Sequence, residues 1–342
     1  MSHVLVTRLD NDGDVLLAGP AIRALAAGAG RVTLLCGPRG RQAAHLLPGV
    51  DEVVCWRAPW IDPEPAPVDP ADVTALVARI AALAADRAVI LGSFHQSPLP
   101  TALVLRLAGV GHVAATSVDY PGSLLDVRHR IDDDVHEVER SLALVRALGH
   151  DLPPGDDGAL RIVRAGERVR PFAAPYVVVH PGASVPARAW APERNAALVR
   201  ALVAAGRRVA VTGSPSETAL TGRVAGPPHP AVADLGGRTT FAGLAEVLAG
   251  AAVVVVGNTG PAHLAAAVGT PVVSLYAPTV PAVRWRPWRV PHVLLHREVP
   301  CAGCRARACP VPGHPCLDDV APGEVLAAVE RLAARAPEAV AA

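Results

Sequence analysis

The sequence predicts an α/β protein built as two doubly wound domains, and three observations carry that reading. Short apolar runs bounded by glycine alternate with amphipathic helical stretches. The alternation lapses once, in DLPPGDDGALRIVRAGERVRPFAAP, and then restarts. The length of 342 residues suits two domains of about 150 residues each. The expected bounds are 1–165 and 170–320, with a closing helix in 321–342 that returns toward the first domain.

The first strand is HVLVTR, His3 to Arg8, followed by the polar loop LDNDGD and a helix from Asp14 to about Ala27. A strand from Arg31 to Cys36, a helix around Arg39 to Leu47 and a short strand near Val53 come next. PWIDPEPAPVDP, Pro59 to Pro70, is too rich in proline for a regular element and reads as a surface loop. A helix near Asp72 to Ala85, the strand Ala88 to Gly92 and a helix near Leu99 to Ala108 follow. The amphipathic helix Val135 to Leu148 closes the first half.

In the second half the strands are Tyr176 to His180, Arg208 to Thr212, Val253 to Gly257 and Val272 to Tyr276. The helices run over Pro192 to Ala205, Ser216 to Val224, Phe241 to Leu248 and Pro261 to Val268. Apolar runs such as Val253 to Val256 suit strands covered on both faces, which implies parallel sheets with ligands at the carboxyl ends of the strands.

Composition narrows the function. All 32 Lys+Arg positions are arginine, so a Schiff-base lysine, a P-loop lysine or a kinase strand lysine is excluded. A net charge of +1 argues against a nucleic-acid partner. No apolar run reaches the roughly 18 residues of a membrane span, and MSHVLVTRLD enters a strand without a signal-peptide layout, so a cytoplasmic location is expected.

Asp14 follows the first strand at the mouth of a helix, beside Asn11, Asp12 and Gly13. A carboxylate there can cap the helix or take a proton from a bound hydroxyl, and both readings stay open. The second half offers three strand-end loops of one kind: HPGAS (His180 to Ser184), TGSPSE (Thr212 to Glu217) and GNTGPAH (Gly257 to His263). Glycine and small hydroxyl residues between strand and helix let backbone N–H groups approach a diphosphate, which suggests a nucleotide site. Glu217 can accept from ribose hydroxyls or simply place a favourable charge at the N-terminus of its helix. None of the loops is GxGxxG or GxxxxGKS, so neither a nicotinamide enzyme nor a P-loop ATPase is indicated.

GDVLLAGPAIRAL (Gly13 to Leu25), HPGAS followed by Arg188 and Trp190, TGSPSE, and NTGPAHLAAAVGTPVVSLYAPT (Asn258 to Thr279) together resemble the signature segments of the heptosyltransferase-like glycosyltransferases of family 9. The resemblance spans nearly the whole chain. It implies a GT-B fold, two Rossmann-like domains facing a central cleft, with the acceptor held mainly by the first and the nucleotide sugar by the second. It also implies inverting transfer without a metal or other cofactor, from ADP-heptose in the named members.

Carried over residue by residue, the resemblance makes Asp14 the general base and Arg188, where relatives commonly have lysine, the group that meets the departing diphosphate. Gly182, Ser184, Thr212, Gly213, Glu217, Asn258, Thr259, Gly260 and His263 fall on donor-binding positions, and Asn11 and Gly13 on the acceptor side; His95, after the strand ending at Gly92, reads from its position alone as an acceptor-edge residue or a solvated loop residue. Asn258 departs from the family, which often has aspartate there, so the donor sugar is open. The acceptor is a hydroxyl of a glycan, a glycolipid or a soluble metabolite.

Cys301, Cys304, Cys309 and Cys316 form C-x2-C-x4-C-x6-C. The opening CxxC permits zinc, but the second pair lacks that spacing, and free thiols or a structural disulfide are expected instead. His136 reads as a surface helix residue, and Trp285 and Trp288 as packing anchors beside Arg284, Arg286 and Arg289. A nucleotide-sugar epimerase, with acid and base groups around the donor sugar, and a non-catalytic nucleotide-sugar binding protein are the competing readings.

Overall fold

The valine-rich runs become inner strands of two parallel sheets, seen in a computed structural model that describes residues 2–164 and 169–334. The chain divides into two units, Met1–Val163 and Arg164–Ala342. The first contains β1 (His3–Arg8), α1 (Asp12–Ala26), β2 (Arg31–Cys36), α2 (Arg41–Ala44), β3 (Glu52–Cys55), α3 (Pro70–Leu83), β4 (Arg87–Ile90), α4 (Leu99–Leu107), β5 (His112–Thr116), β6 (Val127–His129) and α5 (Glu137–Ala147). The second contains β7 (Tyr176–His180), α6 (Pro192–Ala204), β8 (Arg208–Val211), α7 (Thr218–Ala225), β9 (Val232–Asp234), α8 (Phe241–Ala249), β10 (Val253–Gly257), α9 (Gly260–Ala267), β11 (Val272–Leu275), α10 (Ala282–Trp285), β12 (His292–Leu295), α11 (Pro315–Asp318) and α12 (Pro322–Ala333).

The first sheet runs β3-β2-β1-β4-β5-β6 and the second β12-β11-β10-β7-β8-β9, every pairing parallel. Chain direction across the sheet reverses between β1 and β4 in the first unit and between β7 and β10 in the second. Ligands of doubly wound sheets bind outside the carboxyl ends at that switch. In the first unit those ends lead to Asp10 and Ser93, and in the second to Gly182 and Asn258.

Local sequence explains the helix starts. Asn11, with extended backbone at ψ 170°, precedes α1, whose first turn carries Asp12 and Asp14 against the positive end of the helix dipole. Asp69 and Thr240 cap α3 and α8 with their side-chain oxygens. Small aliphatics fill the cores: Leu5, Ile80, Ala88 and Val113 in the first unit, Val179, Val211, Val255 and Val273 in the second.

Two sequence expectations need correction. β5, β6, β9 and β12 were not anticipated; β6 and β9 have three half-buried residues each, too few to show a run. The closing helix, expected to return to the first domain, lays Val325, Ala328, Val329 and Leu332 into the second core, against α6 and the β10–β12 side of that sheet. Its apolar stripe is matched by valine-rich strands of its own unit. The part of that expectation in 335–342 lies outside the described residues. Among the described residues no helix is long and apolar enough to cross a membrane.

Candidate active site

β1 and β4 run side by side with Thr7 opposite Ile90, and the loops beyond them are hydrogen-bonded together. The Ser93 hydroxyl donates to Asp10 Oδ2 at 2.8 Å, and the Ser93 N–H donates to Gln96 Oε1 at 3.0 Å. Asp14 is not the cap of α1; Asn11 holds that position, and Asp14 stands in the first turn. Asp14 Oδ1 accepts from Arg8 Nη2 at 3.2 Å, and its side chain is 21% exposed. Gly13 is buried beside it, and Asn11 is exposed. Asp12 instead turns away, accepting from the Ala43 N–H at 3.0 Å, and burial pushes its carboxyl up to about 6.

His95 is exposed on the β4 loop, edge-on to Phe94 with ring centroids 5.7 Å apart. A cleft of about 260 Å³, part of it open solvent, lies along this edge and is lined by Thr7, Asp10, Ile61, Leu91, Gln96 and Thr101. His136 is buried rather than on the surface: its ring accepts from the Val138 N–H at 3.2 Å and caps α5.

In the second unit the candidates form two groups along one strand edge. At the ends of β7 and β8, His180 Nδ1 lies 2.9 Å from Thr212 Oγ1. Burial holds the His180 imidazole below its ordinary range, with the Glu217 charge opposing, so it stays neutral at pH 7. Glu217 Oε2 accepts from the Ser214 N–H at 2.7 Å and the Ser214 hydroxyl at 2.8 Å, which closes a capping box. A side chain at 182 would overlap the Glu217 carboxylate as it stands, so glycine there lets the carboxylate lie against the β7 loop. Gly213 is tight in the same way, with an added Cβ 2.6 Å from Thr221. Ser184, in the same β7 loop, is exposed.

At the ends of β10 and β11, Asn258 Nδ2 donates to the Ala277 carbonyl at 3.3 Å, while its buried Oδ1 has no partner among the described residues. Thr259 precedes α9, whose first residue is Gly260, and its side chain makes no cap bond. The Thr259 N–H donates to the Gly257 carbonyl at 2.9 Å and the Ala262 N–H to the Thr259 carbonyl at 3.0 Å, and with Pro261 lacking an N–H the Gly260 N–H is the donor left at the helix start. His263 is buried one turn on. A Cβ at 257 would lie 2.8 Å from the Arg188 carbonyl, so glycine at the end of β10 lets the Arg188 turn pack against it. Tyr276 joins this group: burial raises its hydroxyl above the usual phenol range, with the Arg188 charge and the Asn258 amide opposing.

The cysteine segment is stitched to these loops. Ala187 N–H donates to the Arg307 carbonyl at 3.0 Å, the His314 ring lies 3.2 Å from the Ala187 carbonyl, and Gly303 and Arg305 donate to the Pro278 and Thr279 carbonyls. All four cysteines are free, Cys316 buried and Cys301 and Cys304 exposed. Among the described residues no group of three or more His, Cys, Asp or Glu side chains is arranged to hold a metal ion. Trp288 is buried with the Arg289 guanidinium 5.5 Å from its ring centre.

The sequence pattern therefore finds the loops but misses Arg8, Asp10, Glu137 and Tyr276. The available signal was an arginine ending an apolar strand, two residues before one carboxylate and six before another.

A family model described as glycosyltransferase family 9 (heptosyltransferase) matches residues 74–314. Lipopolysaccharide heptosyltransferase 3 of Escherichia coli is 32% identical over 164 residues, 46% of this chain and 46% of that one. Lipopolysaccharide heptosyltransferase 1 of Pseudomonas aeruginosa is 35% identical over 179 residues, 51% of this chain and 48% of that one. The matches thus span about half the length of these curated relatives. Among solved structures, a family 9 glycosyl transferase from Veillonella parvula superposes with a TM-score of 0.81 at 17% identity, covering 98% of both chains. An E. coli heptosyltransferase crystallised with ADP gives 0.68 at 23% identity, covering 97% of this chain and 98% of that one. These likenesses establish the GT-B fold implied by the sequence. With the family model covering more than half of its residues, the chain belongs to glycosyltransferase family 9, the heptosyltransferases.

Proposed function

We propose that this protein transfers a heptosyl group from ADP-heptose to an acceptor hydroxyl, with inversion at the anomeric carbon, no metal and no other cofactor, in the cytoplasm. The observation that carries the reading is that the residues in the segments resembling the family follow the carboxyl ends of strands in two switch-point sheets. Asp14 stands on one edge, and Arg188, Glu217 and Asn258 on the other.

In this reading the first unit, residues 1–165, holds the acceptor through Asn11, Gly13 and His95, and the second, residues 170–320, holds the donor. Asp14 takes the hydroxyl proton as the acceptor oxygen bonds the anomeric carbon and the bond to the ADP oxygen breaks. Positioned proton transfer of this kind contributes about 10²- to 10⁴-fold in rate. The leaving ADP gains charge, which the Arg188 guanidinium and the Gly260 N–H at the start of α9 receive. Ser184 meets the diphosphate, Gly182 and Gly213 let their loops close on Glu217 and Thr221, and Thr212 holds His180 in place. Glu217 accepts from ribose hydroxyls with the carboxylate face turned toward Gly182. Asn258 Oδ1 and His263 meet sugar hydroxyls. The acceptor is a glycan, glycolipid or soluble metabolite, and the curated relatives are named for lipopolysaccharide.

Thermal unfolding with ADP-, GDP- and UDP-sugars tests the donor. ADP-heptose at about 100 times its Kd adds about 2.7 kcal/mol to the folded state and raises Tm, whereas GDP- and UDP-sugars leave it in place. No rise with ADP-heptose contradicts the donor assignment.

A further inference from the structure

Arg8, the last residue of β1, is 1% exposed and is among the largest fully buried side chains. Its guanidinium meets three carboxylates and a hydroxyl. Nη1 donates to Glu137 Oε2 at 3.2 Å; Nη2 donates to Ser93 Oγ at 2.8 Å and to Asp14 Oδ1 at 3.2 Å, and lies 3.2 Å from Asp10 Oδ2. A buried arginine requires a paired charge, and one carboxylate suffices for that. Three is an anionic excess, eased at Glu137 by the charge of Arg140 of α5. Burial pushes the Asp10 and Glu137 carboxyls up, so these two already pay a desolvation cost in the folded state.

Exposure separates the three carboxylates. The Glu137 and Asp10 side chains are 2% and 7% exposed, and that of Asp14 is 21% exposed. Two closed carboxylates and Ser93 therefore grip the guanidinium from the interior, and the same Nη2 that bonds Ser93 and Glu137 also reaches Asp14, the single member that solvent reaches. Among the described residues Arg8 is the bonding partner of Asp14 Oδ1, and nothing bonds Oδ2.

We infer that Arg8 is a positioning residue: anchored by Glu137, Asp10 and Ser93, it fixes Asp14 through Oδ1 and leaves Oδ2 aimed outward for the acceptor hydroxyl. This rests on the reading of Asp14 as the general base. A planar fork can bond inward and outward at once, whereas an ammonium is a point charge that cannot span both. The geometry fixes a near-attack arrangement, so its loss acts on kcat rather than on donor binding.

The test compares wild type, Arg8→Lys, Arg8→Gln, Glu137→Gln, Asp14→Asn and the Arg8→Lys/Asp14→Asn double variant. ADP release from ADP-heptose is followed with heptose-deficient lipopolysaccharide and with water alone as acceptor, beside crystal structures of the folded variants. Arg8→Lys is expected to lower kcat at least about tenfold at unchanged KM for ADP-heptose, and Arg8→Gln to lower it further. Glu137→Gln, which keeps the guanidinium and replaces a buried carboxylate with an amide, is expected to lower kcat less and carries the test if the Arg8 variants do not fold. In the double variant the Arg8 change adds no further loss, and in the Arg8→Lys crystal the Asp14 carboxylate leaves its place while the α1 backbone stays. An unchanged kcat in Arg8→Lys and Glu137→Gln, losses that multiply in the double variant, or an unmoved Asp14 overturns the inference. Full turnover in Asp14→Asn, or no ADP release by the wild type, overturns the underlying reading instead and takes the inference with it.

Discussion

At Arg188 a chain without lysine places a guanidinium in the loop after β7. The Arg188 carbonyl packs against Gly257, and its charge reaches Tyr276, so the side chain is tied to the β10 and β11 edge from which Asn258 and α9 start. A guanidinium can bridge two phosphate oxygens, which suits the leaving-group role proposed for Arg188. Arg188→Ala is expected to lower turnover by about 10²-fold or more, the scale of a lost electrostatic donor, and Arg188→Lys to recover part of it. Steady-state kinetics with ADP-heptose checks both, and an unchanged rate in Arg188→Ala contradicts the assignment. Asn258, whose buried Oδ1 has no partner among the described residues, offers a neutral acceptor at the end of β10.

At the level of elements, α1 is held at both ends, at its start by the Asp12 and Asp14 contacts and near its end by Arg23. Arg23 Nε donates to Asp156 Oδ2 at 2.6 Å and Nη2 to Asp156 Oδ1 at 3.0 Å, with both side chains under 10% exposed. The fork lowers the Asp156 carboxyl to about 2. A carboxyl depressed in the folded state stabilises it at pH values above the unfolded carboxylate range, and that stability is lost as pH falls from about 4 to 2. Asp156→Asn should therefore cost about 2 kcal/mol at pH 7 and progressively less as pH falls toward 2, read from denaturant melts across that range. Asp12 has the opposite sign: with its carboxyl at about 6, stability falls as pH rises from about 4 to 6, because the unfolded chain releases a proton that the folded chain keeps. The strands with long valine runs, β7 and β10, were legible because burial on both faces leaves little choice of residue. The edge strands β6 and β9 were not, since half-buried segments of three residues tolerate Arg, His and Asp. The destination of α12 was also hidden, because an apolar stripe records that a face is covered and not by which sheet.

For the molecule as a whole, two switch-point sheets account for how much of the site could be read in advance. Gly182, Glu217, Asn258 and Thr259 lie in loops directly after strands, where glycine and small polar residues are visible against apolar runs. Asp14 was visible for the same reason. Arg8, Glu137 and Ser93 were not, because their meeting depends on β1, β4 and α5 converging across 129 residues of chain. The account assigns proton removal to the first unit and donor binding to the second, so a change at Asp14 should separate the two. The direct measurement is turnover and donor-induced stabilisation of Asp14→Asn side by side. ADP release from ADP-heptose is expected to fall about 10²- to 10⁴-fold while ADP-heptose still raises Tm as it does in the wild type. Wild-type turnover in Asp14→Asn, with the donor bound, would contradict the account.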